Sequence, residues 1–133
     1  MSFPQRKLTL WWLPERYAVC RLSPNAPLPA PATPAGTEAL WSVTRTAEEV
    51  SVVLPEAEVQ PGWKAETDWR CFKVQGPIDF GLTGVLASLA APLAEAGLSL
   101  FAVSTYDTDY MLIREAQAER AGEILRAAGH TLR

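Results

Sequence analysis

Apolar and polar positions along this chain fall into short runs with two different periods. Residues 8–13 and 17–22 read as two strands or one bent strand, interrupted by Pro14-Glu15-Arg16, because proline cannot donate to a ladder. Residues 40–46 and 50–54 follow as two more strands, joined at Ala47-Glu48-Glu49. After the punctuation of Pro55 and Pro61-Gly62, residues 69–75 read as a strand. The period then changes. Val85, Leu86, Leu89 and Leu93 recur at helical spacing, which predicts a helix over 84–96, closed by Gly97 and carrying Pro92 inside it. Strands are expected at 98–105 and 110–114, a second helix at 118–128 closed by Gly129, and a short last strand at 130–133. The second half thus reads β-α-β-β-α-β, an α+β, ferredoxin-like arrangement.

Between the first strands lies residues 23–37, where Pro24, Pro27, Pro29, Pro31 and Pro34 forbid a regular element. An internal repeat also emerges. Residues 42–53 echo 103–113: a strand, a polar tip ending in a carboxylate, and an aliphatic strand. Glu49 is then the expected counterpart of Asp109. Two copies of one fold in tandem are implied, the first with its helices reduced, and the boundary is placed at 62/63. This gives an N-terminal subdomain over 1–62 and a C-terminal one over 63–133.

A βαβ crossover returns the chain to the end of the sheet that it left. The glycine-rich stretch Gly76-Pro77-Ile78-Asp79-Phe80-Gly81-Leu82-Thr83-Gly84 and the hairpin tip Ser104-Thr105-Tyr106-Asp107-Thr108-Asp109 are therefore expected at one end. Helix-start amides lack partners and suit an anion, and Thr83 can cap the helix. Asp79, Asp107 and Asp109 suit a cation. Such a place complements a zwitterion, and an amino acid is the simplest one. The same residues also serve as a plain strand-to-helix connection and a turn.

Composition adds bounds. The 133 residues are 48% hydrophobic and 20% charged, which is enough for a packed core. A net charge of −3 gives no footprint for nucleic acid. No export signal or membrane-length apolar run is read, so a cytoplasmic location is expected. Cys20 and Cys71 stand far apart in strand-like runs and read as reduced, half-buried thiols. His130 is the single histidine, and no metal-ligand spacing or nucleotide-binding glycine motif is present; no metal or cofactor is expected. The five tryptophans read mostly as core or interface anchors.

The stretch from Gly76 to Ala87, Ala96-Gly97-Leu98-Ser99, and the segment from Ser104 to Leu112 resemble the ACT domain family, in particular small bacterial tandem-ACT proteins related to CASTOR-type amino-acid sensors. Residues 46–53 resemble the hairpin of ACT domains that regulate aspartate kinase. The resemblance implies a regulatory, non-catalytic domain that binds a free amino acid between two ACT domains. Carried over by position, the ligand loop is Asp79, Phe80, Gly81, Leu82, Thr83 and Gly84, and the facing strand end is Ser104, Thr105, Tyr106, Asp107, Thr108 and Asp109. A regulatory domain implies a regulated partner protein, while exposed sheet edges and tandem repeats favour pairing, with a symmetric homodimer the expected form. A pure assembly module is the main alternative; a small enzyme or an RNA-binding sheet is a lesser one.

Overall fold

The computed structural model describes residues 6–32, 36–78 and 83–133. The described elements run β1 (Thr9–Leu22), β2 (Ser42–Arg45), β3 (Val50–Pro55), β4 (Lys64–Val74), α1 (Val85–Glu95), β5 (Phe101–Ser104), β6 (Asp109–Arg114), α2 (Ala118–Ala127) and β7 (Thr131–Leu132). Short 3-10 turns at Glu56–Glu58 and Glu115–Gln117 follow β3 and β6. The proline-rich stretch forms no regular element among its described residues.

The chain divides into two compact units. One is Arg70–Arg133 together with the N-terminal stretch up to Trp12; the other is Leu13–Trp69. The expected 62/63 boundary concerns copies along the sequence, and these units are groupings in space. Pro61-Gly62 is a turn inside the second unit, and the chain changes unit within β1 and within β4. The expected break at Pro14 is absent, and β1 runs through it. β7 pairs with β1 at Thr9–Leu10, and β3 pairs with it from Tyr17 onward. Pro14 belongs to neither of these ladders, so its missing N–H costs them no bond.

In the helix-bearing unit, β4, α1, β5, β6, α2 and β7 follow the expected β-α-β-β-α-β succession. The first part of β1 is added to it. It lies beside β4 and also pairs in parallel with β7, Thr9 opposite Thr131 and Leu10 opposite Leu132. Gln75 N donates to Thr9 O at 2.8 Å, and Thr131 N donates to Leu8 O at 2.9 Å. One sheet face supplies Leu10, Phe72, Val74, Met111 and Ile113 to a core. Leu89 and Leu93 of α1 and Ala121 and Leu125 of α2 close it, as their helical spacing requires. Trp12 packs edge-on against Phe72, with ring centroids 5.4 Å apart.

In the other unit, β3 lies between β2 and the latter part of β1. Cys20 faces Val52 and Ala18 faces Leu54 across the ladder, and these join Val50 in a core covered by Trp41, Val59 and Trp63. No α-helix occurs among its described residues. Cys20 and Cys71 are free thiols, buried rather than half-buried as expected. Burial pushes the Cys20 thiol above its ordinary range.

Each unit carries the same hairpin. β2 and β3 pair with Arg45 opposite Val50; β5 and β6 pair with Ser104 opposite Asp109. At the tips, Thr46 N donates to Glu49 O at 2.9 Å and Thr105 N donates to Thr108 O at 2.8 Å. Each threonine hydroxyl oxygen in turn accepts an amide, Glu49 N or Thr108 N, at 3.2 Å. The register corrects one expectation. Glu49 corresponds to Thr108, and the position of Asp109 is taken by Val50.

Candidate functional site

The strand β4 ends beside the tip of the β5–β6 hairpin. Ile78 N donates to Asp107 O at 2.7 Å, and the Thr108 hydroxyl donates to Val74 O at 2.6 Å. Gly76 permits this approach: a Cβ there would stand 3.0 Å from Asp107 O and 3.2 Å from Thr108 Cβ. Thr108 is buried, and its hydroxyl carries the tip on the end of β4.

The helix α1 begins beside the same tip. Gly84 is its N-cap, with φ 78°, a left-handed conformation that favours glycine. The start has no side-chain cap hydrogen bond, so the capping role expected of Thr83 is not taken up. Thr83 instead offers its carbonyl to Arg6 Nε at 3.0 Å. Gly84, Val85, Leu86 and Ala87 then face Ser104, Thr105, Tyr106, Asp107, Thr108 and Asp109 across a cleft of about 310 Å³, with Ile78 at its side. Helical geometry leaves the first amides of α1 without a carbonyl one turn earlier, so this wall carries partial positive charge. The opposite wall carries two carboxylates, Asp107 and Asp109.

The lining side chains differ in what they already hold. The Asp109 carboxylate accepts the Ser104 hydroxyl at 2.6 Å, which fixes one oxygen toward its own strand pair. Thr105 and Thr108 hydroxyls are engaged in the turn and in β4. Tyr106 is 80% exposed at the tip, and Leu86 is 40% exposed on the facing wall. Asp79, Phe80, Gly81 and Leu82 lie outside the described residues. Glu49 sits at the hairpin tip of the other unit and does not line this cleft.

Three further residues hold the start of α1, and the sequence reading assigned them no role there. Ser88 Oγ donates to Gly84 O at 2.6 Å and accepts Arg6 N at 3.0 Å. His130 is buried. Its Nδ1 accepts Leu8 N at 3.2 Å, so its proton resides on Nε2, which donates to Ser88 O at 2.9 Å. The proline noted inside the helix was the available signal. Pro92 lacks the N–H that would bond Ser88 O one turn earlier, leaving that carbonyl for another donor.

Comparison with known proteins places this geometry. The family model described as an ACT domain matches residues 64–127, and a model described as an N-terminal domain matches residues 15–62. The crystal structure of protein Atu0741 from Agrobacterium tumefaciens superposes with a TM-score of 0.86 at 35% identity, covering 96% of this chain and 93% of that one. The cytosolic arginine sensor for mTORC1 subunit 1 of Bos taurus is 34% identical over 86 residues, a match that takes in 56% of this chain. This chain spans about a quarter of that protein's length, 26%. The aspartate kinase of Clostridium acetobutylicum shares the fold, with a TM-score of 0.61 at 7% identity over 96% of this chain and 36% of that one. Residues 64–127 match the ACT domain, and the chain belongs to one family with the Agrobacterium protein.

Proposed function

We propose that this chain is a small regulatory protein that binds a free amino acid without transforming it. The carrying observation is the cleft that sets the amide end of α1 against Asp107 and Asp109. An α-carboxylate rests on the first amides of α1, and an ammonium rests against Asp109. By the family resemblance, Asp79, Phe80, Gly81 and Leu82 belong to the same proposed site. A ligand with a second positive charge makes best use of two carboxylates. Arginine is therefore the first ligand to test, a choice also supported by the similarity to an arginine sensor.

In this reading the chain is a tandem of two ACT copies, 1–62 and 63–133, the first poor in helices. The repeated hairpin register supports it. Each copy lends a strand segment to the unit built mainly from the other: 9–12 from the first and 64–69 from the second. The ligand lies where two ACT domains meet, in a cytoplasmic homodimer that reports to a regulated protein partner. No helix among the described residues is long and apolar enough to cross a membrane.

Thermal unfolding measured with each of the common amino acids in turn tests the proposal. A ligand present at a hundred times its Kd adds about 2.7 kcal/mol of stability and raises the melting temperature visibly. Calorimetric titration then gives the stoichiometry. The absence of any shift across the whole set, at millimolar ligand, overturns amino-acid binding.

A further inference from the structure

We infer that Arg6, Ser88 and His130 are positioning residues that couple the cleft to the N-terminal segment, so that ligand binding at the start of α1 tightens the docking of residues 6–8. This inference rests on the amino-acid-binding reading for its ligand, but its structural half stands without one.

The chain of contacts is continuous. The cleft wall is the first turn of α1, Gly84 to Ala87. Ser88 closes that turn, since both its amide and its hydroxyl donate to Gly84 O, at 2.8 and 2.6 Å. The same hydroxyl oxygen accepts Arg6 N, and the Arg6 guanidinium donates through Nε to Thr83 O, the carbonyl just before the N-cap. Arg6 therefore grips both sides of Gly84. Behind it, the buried His130 ring joins Leu8 N to Ser88 O. A ligand that orders the first turn of α1 orders the acceptors of Arg6 and His130 with it. Coupling of this kind is reciprocal: what docks residues 6–8 also favours the ligand.

The direction of the chain gives this coupling a use. Residues 6–8 lead straight into β1, which starts at Thr9 in the helix-bearing unit and continues to Leu22 in the other. The site thus communicates with the strand that joins the two units along the chain. Ligand occupancy is expected to change the exposure of the N-terminal segment, where a partner protein could read it.

Amide hydrogen exchange on the full chain tests this, with L-arginine as the probe ligand. In the ligand-free protein, R6A is expected to speed exchange at the Ser88 amide, and S88A, which removes the acceptor of the Arg6 amide, to speed exchange at Arg6. S88T, which keeps the hydroxyl, restores slow exchange at Arg6. With arginine, Leu8 exchange slows in the wild type, and R6A weakens arginine binding by about five-fold or more with the circular dichroism spectrum unchanged. Unaltered Ser88 exchange in R6A together with unaltered Arg6 exchange in S88A overturns the coupling. If arginine gives no heat with the wild type but the ligand-free exchange pattern holds, the ligand reading has failed and the coupling has not.

Discussion

His130 Nε2 lies 2.9 Å from the carbonyl of Ser88, the oxygen that Pro92 leaves without a helical donor. Proline inside a helix ordinarily costs about 3 kcal/mol relative to alanine, part of it from the lost bond. Here a buried histidine supplies the missing donor. P92A is therefore expected to stabilise the protein by only about 1 kcal/mol, well under the usual helix-interior difference. H130A leaves Ser88 O and Leu8 N without partners and is expected to cost about 2–3 kcal/mol. In the P92A background the restored amide serves Ser88 O, and the cost of H130A falls by about 1 kcal/mol. Urea unfolding of the four proteins measures the coupling. An equal cost of H130A in both backgrounds refutes it.

The hairpin tip is held to β4 by a buried hydroxyl and a missing methyl. T108V removes the donor to Val74 O while keeping the shape, and is expected to cost about 1–2 kcal/mol. G76A places a Cβ against Asp107 O and Thr108, which must shift. Its cost is expected at about 1–3 kcal/mol, the range for overpacking. Both variants loosen the wall that bears Asp107 and Asp109, so both are expected to weaken the proposed amino-acid binding. Chemical denaturation and titration on the same samples check the two effects together. Full ligand affinity in G76A shows that the tip is not fixed by β4.

The helices and the β5–β6 hairpin were legible in the sequence because their signals are local. Leu89 and Leu93 sit one turn apart, and glycines stand just past both helix ends. The shared end of the βαβ unit followed from chain connectivity, and it brings Gly84 and Asp109 to one cleft. Other features depend on partners far away along the chain. Thr9–Trp12 extends the sheet beyond β4, and no local pattern announces a strand borrowed from the other end of the chain. A proline in a strand-like run points to a break, and that Pro14 stands outside the ladders to β7 and β3 is a tertiary fact. The pairing of Glu49 with Asp109 slipped by one residue. Glu49 and Asp109 are both carboxylates near a tip, but the threonine that forms each turn sets the register and puts them one position apart.

The Cys20 thiol is buried in an apolar core and its pKa is raised by desolvation. Burial disfavours the thiolate, so the folded state holds its proton to higher pH than the unfolded chain does. The sign follows: this contribution to stability is complete below the ordinary thiol pKa and is lost as pH rises above it. Folding stability is expected to decline in mildly alkaline solution, and C20A, which has no thiol to ionise, is expected to decline less. Iodoacetamide labelling at neutral pH gives the companion test. Slow modification of Cys20 in the native protein and rapid modification in urea are expected. Equal rates in the two states contradict the burial.

Asp109 stands at the mouth of the cleft with one carboxylate oxygen committed to the Ser104 hydroxyl. The bond fixes the side chain while the second oxygen keeps its capacity to accept. D109A therefore separates binding from folding. It removes the proposed ammonium partner but disturbs only an exposed hydrogen bond, which is expected to lower stability by no more than about 1 kcal/mol. The thermal shift produced by the bound amino acid is expected to vanish, while the ligand-free melting temperature changes by a few degrees at most. D109N keeps the shape and an acceptor oxygen but not the charge, and is expected to weaken binding about ten-fold or more, the scale of a lost charge-assisted bond. S104A leaves the charge in place and frees the carboxylate to rotate, so a smaller loss is expected. The order wild type, S104A, D109N, D109A in titration affinity is the signature of a carboxylate that recognises a cation. An undiminished shift in D109A removes Asp109 from the site and moves the search for the ammonium partner to Asp107 or Asp79.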